Sequence, residues 1–383
     1  MLSLLGGCFV DHPPTLGMSA GTTEMPVTTG TTAALTSSSS SGSGSGTAFE
    51  PSECGEAVLE LPELAPSVML VLDKSGSMAN QFGLWDHDLD PNTPTVTRWS
   101  SLFTAVSLTA NRYDLALNLG AVLFPARTAT ASNDEFACVV DAEPTPPLAP
   151  MNAAALIAAL PGPQTDATMM QGGSAATRGI NVAVKALAEA PGPRFMVLVT
   201  DGAANCPMNA ADELALFEVY DEGLPTTVAA AAAAMGITTH VVGINISQVV
   251  SGMVKDGAPD GINNYEKMNQ VAIAGGAPRA GDEKFYNTTD QGALEAALDT
   301  IAREILTCTI ALSPAPKYPE GVEVIPYGAT RLADCGAGDG WLFAPKVGGG
   351  ESLQIQLCGK ACADYQASGK VKVQYRCPDA ESP

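Results

Sequence analysis

Asp73, Ser75 and Ser77 follow one another at two-residue spacing inside Val68–Met78, which reads Val-Met-Leu-Val-Leu-Asp-Lys-Ser-Gly-Ser-Met. One carboxylate and two hydroxyls gathered by a tight loop are all hard oxygen donors. They suit Mg²⁺, Mn²⁺ or Ca²⁺ and not zinc, which takes nitrogen and sulfur. Two further pieces lie downstream. Gly172-Gly173-Ser174 stands directly before a helical pattern, and the apolar run Arg194–Thr200 ends in Asp201-Gly202. Taken alone, the first piece also reads as a serine-rich loop with a helix-capping aspartate. Three pieces in matching contexts favour a metal loop.

These residues need elements to hold them. Val68–Leu72 and Phe195–Thr200 are short apolar runs bounded by polar residues, the pattern of strands buried on both faces. Asp73 and Asp201 then sit at the carboxyl ends of strands, where open α/β sheets bind ligands. Further strands are expected at Leu117–Phe124, Thr239–Ile244 and Lys284–Asn287, with a short edge strand at Val139–Val140. Helices are expected at Trp99–Asn111, Asn152–Leu160, Ala175–Ala190, Thr226–Met235, Tyr265–Ala274 and Gln291–Leu306. Strands alternating with helices predict an α/β fold: a doubly wound, mostly parallel sheet flanked by helices. After Cys308 short β-like runs between Gly/Pro turns predict a small disulfide-stapled β domain, with Gly359–Cys362 as a turn.

The three-part arrangement resembles the metal-ion-dependent adhesion site of the von Willebrand factor type A family. The resemblance covers roughly Pro66 to Leu306. It implies that Ser75 and Ser77 bind the metal directly, that Asp73 and Asp201 hold it largely through water, and that the third loop adds a hydroxyl. The family has Thr after the glycine. Here Ser174 takes that place, with Thr177 as the alternative. The resemblance also implies a partner protein whose exposed Asp or Glu completes the metal shell.

A second cation loop is a separate question. Asp86, Asp88, Asp90 and Asn92 alternate along one stretch, as ligands wrapping a Ca²⁺ do. The stretch lacks the Gly and Glu of an EF-hand loop, so a solvated acidic loop, or one that shapes the partner surface, stands beside the calcium reading.

Little points to catalysis. The three histidines are His12, His87 and His240, and none has a serine or cysteine partner in a recognised context. No base is placed to activate Ser75 or Ser77, and no phosphate-cradling Gly-x-x-x-x-Gly-Lys loop is present. Lys and Arg total 19 against 41 Asp and Glu, a formal net charge of −22, which disfavours nucleic acid as a partner.

Nine cysteines are scattered along the 383 residues without zinc-type pairing. Eight could form four disulfides in an oxidising compartment. Cys54 is expected to staple to the C-terminal region, and a Cys138–Cys206 bridge would tie two loops near the metal face. The ninth, Cys8, ends Leu5-Gly6-Gly7-Cys8, which resembles the bacterial lipoprotein box, where the cysteine carries lipid. The short leader has no positive region, so the true start is expected upstream. The domains expected are 1–11, remnant of a lipoprotein signal and anchor; 12–53, a Ser/Thr/Gly/Pro linker; 54–307, the type A domain; and 308–383, the Cys-rich β domain. A linker of about forty residues spans roughly 35 Å r.m.s.. The expected function is that of an exported, lipid-anchored module of the cell envelope, at the outer surface or in the periplasm and otherwise secreted, that captures an acidic protein partner through Mg²⁺, Mn²⁺ or Ca²⁺. A metal-stabilised envelope scaffold and a metal-dependent hydrolase are the alternatives.

Overall fold

The structure, a computed structural model, describes residues 55–57, 65–79, 83–165, 168–312, 316, 318–328, 330–344, 354–368 and 371–376. The stretch expected to be a lipoprotein box with Cys8, the expected linker 12–53, and Cys54 lie outside the described residues.

In chain order the strands are β1 (Gly55–Ala57), β2 (Ser67–Asp73), β3 (Leu84–Trp85), β4 (Val96–Thr97), β5 (Asn118–Phe124), β6 (Arg194–Thr200), β7 (Ile237–Ile244) and β8 (Tyr286–Thr288), followed by β9 (Thr309–Ala311), β10 (Val322–Ile325), β11 (Gly340–Phe343), β12 (Gln354–Cys358) and β13 (Lys372–Tyr375). The helices are α1 (Arg98–Tyr113), α2 (Ala153–Ala159), α3 (Ala176–Ala188), α4 (Glu213–Glu218), α5 (Gly223–Met235), α6 (Asn264–Ala274), α7 (Gln291–Ile305) and α8 (Lys360–Ser368).

The central sheet runs β5-β2-β6-β7-β8, every neighbouring pair parallel. Both of its faces are covered, which is why its strands are apolar without alternation. Leu70, Leu72, Leu123 and Val199 face α1, α2 and α7, while Met69, Val71, Phe124 and Leu198 face α3, α5 and α6. Gly120 marks a close approach: a Cβ there would lie 3.0 Å from Leu148 N. From β2 the chain crosses to β5 on one side, then returns to β6 on the other. The crevice between these opposed connections opens at the carboxyl end of β2, where Asp73 stands.

Two antiparallel sheets, β1-β13-β10 and β11-β12-β9, form the smaller β region. Val322, Val324 and Val373 from one sheet share a core with Trp341, Ile355 and Leu357 from the other, closed by Ala361 and Tyr365 of α8. Bridges Cys308–Cys362 and Cys335–Cys358 staple it. β1 precedes β2 in sequence yet pairs with β13, Glu56 opposite Gln374.

Three local expectations change. Val139–Val140 forms no strand; a 3-10 turn at Glu135–Cys138 precedes it, and Asp134 accepts from Phe136 N to start that turn. Gly359 does turn, at φ +54°, but the chain then enters α8, whose first amide, Lys360 N, donates to Asp339 Oδ1. Helix α4 was not expected; Asp212 caps it by accepting from Ala215 N. Among the described residues no helix is long and apolar enough to cross a membrane.

Candidate metal centre

The site begins where β2 runs out. Asp73 pairs in register with Phe124, and Lys74 N donates to Phe124 O at 2.7 Å, so the backbone stays pinned one residue past the strand. The chain then folds back on the aspartate: Ser75 N donates to Asp73 Oδ1 at 2.8 Å, an Asx turn. A 3-10 turn, Gly76–Met78, carries Ser77 round beside Ser75, with the two Oγ atoms 3.0 Å apart. Ser77 Oγ donates to Asp201 Oδ1 at 2.8 Å, which joins the end of β2 to the end of β6.

Both carboxylates are engaged. Asp73 is fully buried, and its Oδ2 accepts from Thr200 Oγ1 at 2.6 Å. Burial first, and the negative charge of Asp201 second, push the Asp73 carboxyl up to about 7, against the bonds from Ser75 and Thr200. Asp201 Oδ2 accepts from Arg98 Nη1 at 2.7 Å, a short ion pair with the first residue of α1.

The third loop closes the ring. Gly76 N donates to Gly172 O, and Asn205 N donates to Ser174 O. Ser174 therefore lines the same cleft as Ser75, Ser77 and Asp201, a space of ≈ 650 Å³. Thr177 does not line it. Its Oγ1 is buried without a hydrogen-bond partner, at the second residue of α3. Of the two third-loop hydroxyls considered, only that of Ser174 stands at the cleft.

The donor set fits a hard divalent cation. Oxygens that ligate one Mg²⁺ at right angles lie roughly 3 Å apart. Ser75 and Ser77 are 3.0 Å apart, and Ser77 and Asp201 2.8 Å. Among the described residues no three His, Cys, Asp or Glu side chains gather in a metal-binding group. A centre built from two carboxylates and three hydroxyls has no such group to show. The acidic loop between β3 and β4 turns on itself: Asp88 Oδ1 accepts from Asp90 N and Thr93 Oγ1, and Asp90 Oδ1 accepts from Asn92 N. The Thr93 hydroxyl holds the Asp88 carboxyl below the usual carboxylate range. Asp86 Oδ1 is buried and without a hydrogen-bond partner.

Three neighbours escape a reading of the motifs. Thr200 is the most legible, because parallel register with Leu72 opposite Val199 brings it to Asp73. Lys74 occupies the spacer between two candidate ligands, yet it is buried, and its Nζ donates to Met169 O and Gln171 O. Burial pulls its amine down to about 8. Arg98 stands 103 residues from Asp201, and nothing in spacing announces their contact. Of the described histidines, neither His87 nor His240 lines the cleft.

No family model matches the sequence, and no curated protein matches it. Among solved structures the chain is similar to the pilus adhesin SpaC from Lactobacillus rhamnosus GG, at 17% identity and a TM-score of 0.44 over 82% of this chain and 40% of that one. It is also similar to the vWF domain of the type V pili tip protein Mfa5 from Porphyromonas gingivalis, at 13% identity and 0.39 over 64% of this chain and 96% of that one. A third is a von Willebrand factor type A structure from Catenulispora acidiphila, at 13% and 0.36 over 85% and 66%. The chain thus spans 40% of the length of SpaC.

Proposed function

We propose that the chain is a binding module of the von Willebrand factor type A kind, which captures an acidic side chain of a protein partner at a divalent cation. The observation that carries this reading is the chain of contacts Ser75–Ser77–Asp201 at the carboxyl end of the central strand, with Ser174 on the same cleft. Ser75, Ser77 and Ser174 would hold the ion, with Asp73 and Asp201 behind them. A bound cation supplies an electrophilic position for a carboxylate oxygen of the partner. Hydroxyl ligands leave most of its charge unneutralised, which favours an anionic ligand.

Catalysis has less support. Ser77 touches a carboxylate, but Arg98 already neutralises it, so neither serine has a free base. Three disulfides among the described residues support an oxidising compartment, and the proposal extends to export with lipid on Cys8, and to the division at residues 54 and 308. One observation favours a second reading. Both carboxylates are satisfied within the protein, as a scaffold that uses the ion only to stiffen its loop would have them.

Calorimetric titration of the full chain with Mg²⁺, Mn²⁺ and Ca²⁺, beside Ser75→Ala/Ser77→Ala, tests the site. One site lost in the double variant is expected. A Ca²⁺ site that survives it maps to Asp86, Asp88, Asp90 and Asn92. No binding by the unaltered chain sinks the metal reading. Partner capture that persists undiminished in EDTA sinks the adhesive role and leaves the scaffold.

A further inference from the structure

The loop that carries Ser174 is gripped from two sides, and the grips adjoin the two halves of one disulfide. On one side Gly173 N donates to Ala137 O at 2.9 Å; on the other Asn205 N donates to Ser174 O at 3.1 Å. Ala137 immediately precedes Cys138, and Asn205 immediately precedes Cys206, and these two cysteines are bridged, with their Cα atoms 5.7 Å apart. The bridge therefore fixes the separation of the two backbone groups that hold the loop.

The fit is close. A Cβ on Gly172 would lie 2.5 Å from Ala137 O, and one on Gly173 would lie 2.8 Å from both Cys206 Sγ and Asn205 Oδ1. Two glycines precede Ser174 because the loop is pressed onto this clasp. The clasp has other, non-covalent ties: Cys206 N donates to Leu216 O at 2.7 Å, Arg178 Nε donates to Cys206 O at 3.1 Å, and Arg178 Nη2 pairs with Glu135 Oε2 at 2.9 Å. Its apolar surroundings are mainly Leu216 and Phe217 with small alanines. The segments that it joins are largely irregular: Glu135–Cys138 is a single 3-10 turn, and no regular element lies between β6 and α4. Cys206 also adopts φ +63°, a conformation unfavourable for a residue with a Cβ, which persists only where its surroundings enforce it. The bridge is the covalent tie between the two grips, and without it Asn205 and the bond to Ser174 are held only by hydrogen bonds such as Cys206 N to Leu216 O and Asn205 Nδ2 to Gly257 O.

We propose that the Cys138–Cys206 disulfide is a positioning element of the cation site: it places Ser174, and cation affinity falls when the bridge is absent although the sheet stays folded. This rests on the metal-site reading above. Neither cysteine lines the cleft, so the bridge acts through the loop.

The test is titration of the full chain with Mn²⁺ alone, at a temperature well below the unfolding midpoint, for the unaltered protein and for Cys138→Ala/Cys206→Ala. Hydrogen exchange over residues 171–176 is followed in parallel. Mn²⁺ binding at least tenfold weaker is expected, with faster exchange in that loop and unchanged exchange in β2 and β6. A purely structural bridge lowers the midpoint but leaves the Mn²⁺ affinity unmoved; affinity within twofold overturns the positioning role alone. An unaltered chain that binds no Mn²⁺ overturns the metal-site reading and this proposal with it. If the double variant does not fold, Gly173→Ala carries the test. It keeps the bridge but places a methyl against Cys206 Sγ, and it is expected to weaken Mn²⁺ binding likewise. Unchanged affinity there overturns the proposal.

Discussion

Arg98 and Asp201 form an ion pair of 2.7 Å in which the aspartate side chain is wholly buried. The guanidinium occupies one oxygen of a carboxylate whose other oxygen faces Ser77. A cation at the cleft must share Asp201 with a fixed positive charge. Arg98→Gln removes that charge, and Mn²⁺ affinity is expected to rise about tenfold, or roughly 1.4 kcal/mol. In chelator the same variant leaves a buried carboxylate without its partner and is expected to lose about 3 kcal/mol of stability, part of which Mn²⁺ restores. Calorimetry and urea unfolding with and without EDTA check both halves. Weaker Mn²⁺ binding by Arg98→Gln would count against an ion beside Asp201.

Asp73 carries a pH signature. Its carboxyl stands at about 7 in the fold against an ordinary 3.8, so between those values the folded state holds a proton that the unfolded chain has released. The contribution of this group to stability is therefore present below 3.8 and lost as pH rises through about 7. In EDTA, Asp73→Asn is expected to abolish that loss, seen as a flatter plot of the urea midpoint between pH 5 and pH 8. The variant is also expected to bind Mn²⁺ at least tenfold more weakly, because the ionised carboxylate is gone. An unchanged pH slope would show that Asp73 is ionised throughout.

His240 titrates in the opposite sense. Burial in β7 lowers its imidazole to about 4 from 6.5, even with Glu304 Oε2 at 3.7 Å from Nδ1. The unfolded chain takes up a proton below 6.5 that the fold refuses down to about 4, so stability falls with pH across that window. His240→Gln is expected to remove this acid loss without changing Mn²⁺ affinity. Unfolding at pH 7 and pH 5 decides it: an equal fall in both proteins would assign the acid sensitivity elsewhere.

Ser174 and Thr177 separate a ligand from a bystander. Ser174→Ala is expected to weaken Mn²⁺ binding about tenfold with little change in stability. Thr177→Val replaces a buried hydroxyl that has no hydrogen-bond partner by a methyl of similar shape. It is expected to leave affinity alone and to stabilise the fold by about 1 kcal/mol. If Thr177→Val weakened the ion instead, the third-loop assignment would pass to Thr177.

What could be read from residues alone was whatever chemistry repeats along the chain. Val68–Leu72 and Phe195–Thr200 are apolar without a break because both faces of the sheet are covered, and an aspartate that ends such a run can only lie at its rim. Helix α5 was legible through Gly236, which stops it at φ +63°. Apart from the Cys138–Cys206 bridge, contacts that join distant segments were not. Arg98 carries no mark of Asp201, and Lys74 reads as a spacer because its burial depends on the carbonyls of Met169 and Gln171. Glycine misled at α8, where Gly359 introduces a helix that needs Asp339 to start it.

Gln366 Nε2 of α8 donates to Arg303 O and Leu306 O, so the last carbonyls of α7 are sealed by a side chain from the small β region. Cys308–Cys362 rivets the same junction a few residues on. The molecule is thus poorly suited to being cut where its sheet types change. A fragment that stops at residue 307 would keep every strand of the parallel sheet yet leave the end of α7 uncapped. Six residues before that end stands Asp299, the residue that Arg112 and Tyr113 grip at the far end of α1. Since Arg98 begins that same helix, α1 is held at one end by Asp299 of α7 and at the other by Asp201 of the cleft.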